Sequence, residues 1–365
     1  MKINLLHINF DMHIGGTEQV IKNLVEATDK SKFNTFILCI ESPIGPIGEM
    51  LSEKGYKIDA LSRKAGFDLK LIFEIRRYVI QHQIDVLHCH QYTPWVYGAL
   101  ASVLTGTKVI FTEHGRFYPD RSSWKRKHIN PWLVKLSDHI TSISKATKQA
   151  LVDYEYIPAS RIDVIYNGIA ELEGNAEEAQ KLREKLSISE DTLILGTISR
   201  LDPIKNHRLL VLSFARVQKE NPKLRLLIVG DGDLRPDLEQ QVKELEISDK
   251  VIFTGFQTNP VDYLQLMDIF LLPSFSEGTS MTLLEAMSLA KPCIVTDVGG
   301  NPEIIEDQIS GLVTPSNDEN RLVAACDSLI KDSKLRKKLG DAGKAQFEER
   351  FTVQCMLRNY QAIYQ

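Results

Sequence analysis

The chain has 365 residues, 43% of them hydrophobic and 25% charged, with a formal net charge of −4. That length suits two domains at ~100–200 residues each, and the composition excludes wholesale disorder and fibrous or collagen-like structure. The net charge argues against a dedicated nucleic-acid binder, although Met1–Gly168 carries 21 Lys+Arg against 17 Asp+Glu and the remainder 23 against 31, so an anionic partner is better received by the first half.

The opening run Met1–His7 has the look of a signal peptide until Asn4, His7, Asn9 and Asp11 break its apolar character; it reads as a buried strand of the mature chain. Strand-type runs then alternate with helix-period segments, the pattern of an α/β protein whose helices cover both faces of parallel sheets. In the first half the predicted strands are Lys2–Asn9, Thr35–Glu41, Lys57–Leu61, Asp85–His90, Lys108–His114, His139–Ser144 and Asp163–Tyr166. Asn167-Gly168 is a turn signal, and the Glu-, Ala- and Lys-rich stretch after it reads as an interdomain crossing. A second series runs through Leu193–Arg200, Arg225–Gly230, Val251–Gly255, Ile269–Pro273, Cys293–Thr296 and Leu312–Thr314, after which the chain becomes helical. The expected division is therefore a first Rossmann-like domain over 1–168, a linker over 169–190, a second Rossmann-like domain over 191–345, and a terminal helix over 346–365 that packs back on the first. Five scattered cysteines without a C-x-x-C pair argue against a disulfide scaffold or zinc knuckle. No apolar stretch approaches the ~18–20 residues of a spanning helix, so a cytoplasmic chain is expected, with room for peripheral attachment to the inner membrane face.

Several segments could carry chemistry. Gly15-Gly16 follows the first strand and precedes a helix, where backbone N–H groups can approach a phosphate or sugar oxygen; taken alone, the motif fits a plain turn with Thr17 capping the helix better. Arg200 and Lys205 lie on the loop leaving the first strand of the second series, where open α/β sheets bind ligands, and a guanidinium fork beside an ammonium suits a diphosphate. Glu277-Gly278-Thr279-Ser280 leads into a helix holding Glu285. Were the whole interval helical, the two carboxylates would stand ~12 Å apart along the axis, each able to accept from paired sugar hydroxyls. His88-Cys89-His90 and Thr112-Glu113-His114 end strands, and a metal reading of them lacks a third ligand set. Asp231-Gly232-Asp233 has the form of a metal–diphosphate motif, but it follows Val229-Gly230 at a strand end, where glycines shape a cleft. Arg116–His128 interleaves five Lys+Arg with three aromatics. It could rest on an anionic bilayer, grip an acceptor pyrophosphate, or be a solvated helix face.

Taken together, Glu277 to Glu285 with Ala286-Met287, Pro292 and Gly299-Gly300-Asn301-Pro302-Glu303, joined to Arg200, Lys205 and Gly15-Gly16, resemble the family 4 retaining glycosyltransferases. The resemblance covers nearly the whole chain and is most specific from Leu193 to Pro315. It implies the GT-B architecture, two Rossmann-like domains facing across a cleft, and a hexose-type transfer with retention from a nucleotide-diphosphate sugar, UDP-sugar favoured, to a glycan or lipid-linked saccharide in cell-surface polysaccharide synthesis. By the same resemblance Arg200 and Lys205 neutralise the diphosphate, Glu285 holds the ribose, Glu277 and the backbone near Gly278–Ser280 bind the transferred sugar, and His114 lies beside that sugar. The loops at Gly230 and Gly255-Phe256 line the nucleotide site. No cofactor and no metal are expected, the nucleotide sugar being the donor substrate, and no nucleic-acid partner.

Three rivals share the patterning. A nicotinamide-dependent dehydrogenase lacks its glycine fingerprint after either first strand. A nucleotide-sugar epimerase would turn over donor without acceptor, and a noncatalytic nucleotide-sugar-binding protein would bind donor without transfer.

Overall fold

The computed structural model describes residues 2–115 and 121–365. By its contacts the chain forms two compact units, Met1–Ala170 together with Thr352–Gln365, and Glu171–Phe351.

The first unit runs β1 (Ile3–Asn9), α1 (Gly16–Ala27), β2 (Phe33–Cys39), α2 (Pro46–Glu53), β3 (Lys57–Ala60), α3 (Leu69–Gln81), β4 (Val86–His90), α4 (Tyr92–Ala101), β5 (Lys108–Glu113), α5 (Trp124–Lys135), β6 (His139–Ser142), α6 (Lys145–Glu155) and β7 (Ile162–Val164). The second runs α7 (Ala176–Lys185), β8 (Leu193–Ile198), α8 (His207–Glu220), β9 (Leu224–Val229), α9 (Arg235–Glu244), β10 (Val251–Gly255), α10 (Pro260–Leu266), β11 (Ile269–Leu272), α11 (Met281–Ser288), β12 (Cys293–Thr296), α12 (Asn301–Ile304), β13 (Leu312–Thr314), α13 (Glu319–Lys331) and α14 (Ser333–Arg350). The chain ends in α15 (Val353–Tyr364), which packs on α1 in the first unit.

Both sheets are parallel, ordered β3-β2-β1-β4-β5-β6-β7 and β10-β9-β8-β11-β12-β13. In each, the chain builds outward from the first strand and then returns to build on its other side. Right-handed crossovers then require helices on both faces, so the inner strands are apolar throughout. β4 and β11 are buried at every position. The reversal lies between β1 and β4 in one sheet and between β8 and β11 in the other, and the crevice at their carboxyl ends is where such sheets take ligands.

Each unit has its own core. In the first, Trp95 stacks flat on Phe111 with centroids 4.2 Å apart, and its indole N–H donates to Ser137 Oγ at 2.8 Å; burying such a ring is worth roughly 2–3 kcal/mol. Phe214, Phe270 and Leu226 are fully buried in the second. Side-chain caps begin α3, α11, α14 and α15 at Asp68, Ser280, Asp332 and Thr352. The stretch expected as a linker is partly ordered secondary structure: Ile169 bridges to Thr352 in the first unit, while α7 packs on α10 in the second.

Candidate functional site

The second unit concentrates its charge at the carboxyl ends of β8 and β11. The loop after β8 carries Asp202, whose Oδ1 accepts from the backbone N–H of Ile204 and Lys205 at 3.0 and 3.2 Å and winds a short helical turn ending at Lys205. That turn is tied to the neighbouring loop by Phe275 N–H donating to Ile204 O at 2.7 Å. Lys205 is thereby aimed at Glu277: its Nζ donates to Oε1 at 2.7 Å, and Ser274 Oγ donates to the same oxygen at 2.6 Å. The Glu277 side chain is only 7% exposed. A carboxylate so desolvated needs its cation, and the pair places fixed charge at the switch point before any ligand arrives. Arg200 is not part of this cluster. Its guanidinium reaches Asp202 Oδ2 at 2.8 Å, with 75% of the side chain in solvent.

The backbone beneath these loops depends on glycine. Gly299 has φ +53°, and a Cβ there would lie 1.8 Å from Glu277 O, to which Gly300 N–H donates at 3.1 Å. Gly230 has φ +135°, and its Cβ would lie 2.0 Å from Ser199 O, beside Arg200. These close approaches join the β9 and β12 ends to the two charged loops. Asp231, the first acid of the Asp-Gly-Asp run, accepts from Gly232 N–H at 2.8 Å and pairs with Arg235 at 3.0 Å.

The interval from Glu277 to Glu285 is not helical throughout. Ser280, not Thr279, caps α11 by accepting from Leu283 N–H at 3.4 Å, and the helix begins at Met281. Glu285 sits on its second turn with Oε2 buried and unpartnered among the described residues, and burial pushes its carboxyl up to about 7. At the end of β10, Gly255 has φ +71° and Phe256 is 54% exposed.

In the first unit Gly15 is itself the N-cap of α1, in extended conformation, so Thr17 does not cap the helix; Thr17 Oγ1 instead accepts from Gln91 Nε2 at 3.3 Å. A Cβ at Gly16 would meet nothing within 4 Å. Glu18, in the first turn, has its carboxyl pushed up to about 7 by burial.

A third histidine joins the two strand-end motifs. His7 stands opposite His88 in the β1–β4 register, and His90 follows two positions on, so all three share one face. His7 Nδ1 hydrogen-bonds His90 Nε2 at 3.0 Å and His90 Nδ1 hydrogen-bonds His114 Nε2 at 2.8 Å. His88 is held by Thr112 Oγ1 at 2.7 Å and by Tyr364 Oη of α15 at 2.8 Å. Ring nitrogens of His7, His88 and His90 fall within 4.8 Å of one another. Most are spent on hydrogen bonds, which makes the group a polar network more than a ligand set. Burial pushes His7 and His114 down to about 3 and holds His88 and His90 well below the ordinary 6.5. Of the basic aromatic segment, Arg116–Asp120 lies outside the described residues. Arg121–His128 leads into α5, where Trp124 and Trp132 are 72% and 67% exposed.

Residues 178–346 match the family of glycosyl transferases group 1, and residues 14–171 match glycosyltransferase family 4. The chain is also 30% identical over 303 residues to an N-acetyl-alpha-D-glucosaminyl L-malate synthase of Bacillus anthracis, covering 82% of this chain and 79% of that one. The chain belongs to the family 4 glycosyltransferases. This glycosyltransferase is 26% identical over 353 residues, 92% of its length and 89% of the other, to the UDP-Gal:alpha-D-GlcNAc-diphosphoundecaprenol alpha-1,3-galactosyltransferase of Escherichia coli. Its fold follows that of Anabaena HepE, solved in complex with UDP and glucose, with TM-score 0.86, 20% identity and 99% of each chain covered. The two parallel sheets are those of the GT-B architecture.

Proposed function

We propose that this glycosyltransferase moves a hexose-type sugar with retention from a nucleotide-diphosphate sugar, UDP-sugar favoured, to a hydroxyl of a lipid-linked saccharide or glycan, as in cell-surface polysaccharide synthesis. The observation that carries the reading is the Lys205–Glu277 pair at 2.7 Å over the β8–β11 switch point. Lys205 meets the diphosphate there, Glu277 accepts from sugar hydroxyls, and Arg200 swings from Asp202 to the phosphates. Gly278, Thr279 and Ser280 offer backbone and hydroxyl groups at the α11 N-terminus. Glu285 accepts from the ribose hydroxyls, and the exposed Phe256 ring beside Gly255 and Gly230 stacks on the base. In the first unit, Gly15 and Gly16 offer backbone N–H groups and His114 a polar ring to the sugar.

In the reaction the bond from the anomeric carbon to the phosphate oxygen breaks and the acceptor oxygen bonds that carbon from the same face. The acceptor proton passes to the leaving phosphate. Lys205, Arg200 and helix N–H groups stabilise the charge that grows on the phosphate, so no metal is required. Support for the donor and acceptor comes from the UDP complexes of HepE and from the lipid-linked substrate named for the Escherichia coli relative. No described helix is long and apolar enough to cross a membrane. The exposed Trp124 and Trp132 of α5, with Lys125, Lys127 and Lys135 and no acid between Arg121 and Lys135, suit peripheral contact with an anionic inner-membrane surface.

The test is a thermal-shift panel of nucleotide sugars, in which the true donor at 100 times its Kd stabilises by ~2.7 kcal/mol, followed by transfer to an undecaprenyl-diphosphate sugar. NMR of the product reads the anomer. An inverted product ends the retaining assignment, and donor turnover without acceptor favours an epimerase.

A further inference from the structure

The His7–His90–His114 chain has a property that the donor site does not use. Three rings are joined by two hydrogen bonds, and the two terminal nitrogens, His7 Nε2 and His114 Nδ1, are buried without a partner among the described residues. Desolvation keeps every ring neutral near pH 7, so each carries one N–H. Each bond needs one N–H and one bare nitrogen, so the three tautomers are locked together. If His90 carries its proton on Nδ1, it donates to His114 Nε2 and accepts at Nε2 from His7 Nδ1–H. His114 then carries its proton on Nδ1, and His7 Nε2 is bare. The mirror state puts all three protons on Nε2. Passing from one to the other requires a proton to leave at one end of the chain and another to enter at the opposite end, and the His7 end is sealed: the ring is fully buried.

In the free chain each state buries one orphaned N–H and one bare nitrogen. Once a sugar hydroxyl meets His114 Nδ1, only the His7 end stays orphaned, and a buried N–H without an acceptor is rarer than a bare acceptor. With sugar bound, the state with His7 Nε2 bare is therefore preferred, and it makes His114 Nδ1 a donor. We infer that His90 and His7 are positioning residues that lock the His114 ring in the Nδ1–H tautomer, so that it offers a fixed donor to a hydroxyl oxygen of the bound sugar. This rests on the reading above that His114 borders the donor sugar. His88, anchored instead to Thr112 and Tyr364, stands outside the relay.

Ring-nitrogen correlation spectra of the full chain labelled with 15N-histidine, recorded with saturating UDP-glucose, test the lock directly. The expected result is Nδ1–H at His7, His90 and His114; Nε2–H at these rings, or tautomers that mix independently, overturns the inference. Kinetics provide the second arm. His90→Phe should leave UDP affinity within about twofold and donor KM little changed while kcat falls about tenfold, the loss of one oriented donor. His90→Asn, whose amide nitrogen falls near the Nδ1 position, should recover most of that loss. A His90→Phe enzyme with wild-type kcat, or a His90→Asn enzyme no better than His90→Phe, overturns the inference. Absence of transfer by the wild type with every donor would count against the proposed function alone, because the spectra need only bound UDP-glucose and no transfer.

Discussion

At the carboxyl edge of the second sheet, Lys205 and Glu277 hold opposite charges 2.7 Å apart, whereas at the matching edge of the first sheet His7, His88, His90 and His114 are kept neutral by burial. The strand order around the two switch points is the same, so the contrast comes from side chains alone. Buried charges must be paired, and the loops after β8 and β11 are braced by Asp202, Ser274 and Gly299 to hold such a pair. Buried neutral rings need only hydrogen bonds. One edge is suited to an anionic ligand with many hydroxyls and the other to uncharged donors and acceptors.

The largest expected effect comes from discharging the second edge. Lys205→Ala should lower kcat/KM for UDP-sugar transfer by ~10²–10³, measured by released UDP. Arg200→Ala should cost less, because that side chain is exposed and already paired with Asp202; an equal loss would mean that Arg200 leaves Asp202 fully on binding.

Glu285 sharpens the comparison through pH. Burial pushes its carboxyl up to about 7 from an ordinary 4.5, so the folded chain keeps an extra proton in that window and stability falls as pH rises through it. Glu285→Gln should therefore gain on the order of 1 kcal/mol at pH 8 by chemical denaturation, with little change at pH 4. Accepting from ribose hydroxyls favours the carboxylate, so UDP-glucose affinity should rise between pH 6 and 7 by up to about tenfold, and the variant should lose that slope. Calorimetry at the two pH values reads it.

Gly299→Ala tests the brace. A methyl group aimed at Glu277 O from a φ of +53° should cost about 1–3 kcal/mol in folding stability and weaken donor binding in the protein that remains folded. The smallest effect belongs to the Asp-Gly-Asp run. Asp231 forms an exposed pair with Arg235, so Asp231→Asn should leave thermal stability close to that of the wild type. Chelator should leave turnover unchanged. A strict requirement for a divalent cation, abolished in that variant, would restore a metal role to this motif.

Much of the fold is legible before any coordinates, because buried parallel strands such as β4 and β11 are short apolar runs and the Thr279-Ser280 pair announces a helix start. Boundaries shift by a residue or two where strands fade into loops: β2 begins at Phe33, ahead of the expected Thr35. The site is legible only as residue types in a row. The Lys205–Glu277 contact joins positions 72 residues apart, and His7 reaches its partner at 83, so neither appears in any local pattern. His7 in particular reads as a polar interruption of an apolar strand. Its role follows from the β1–β4 register, which the sequence does not display. The need for glycine at Gly299 is equally hidden, since it lies in the distance to another loop's carbonyl.

The central claim is that the β8–β11 edge, with Lys205 and Glu277 in direct contact, grips a nucleotide sugar. Titration calorimetry of UDP-glucose into the wild type, Lys205→Ala and Glu277→Gln tests it most directly. The account predicts binding by the wild type and at least about tenfold weaker binding by each variant, with thermal unfolding still cooperative. Wild-type affinity in both variants would contradict it.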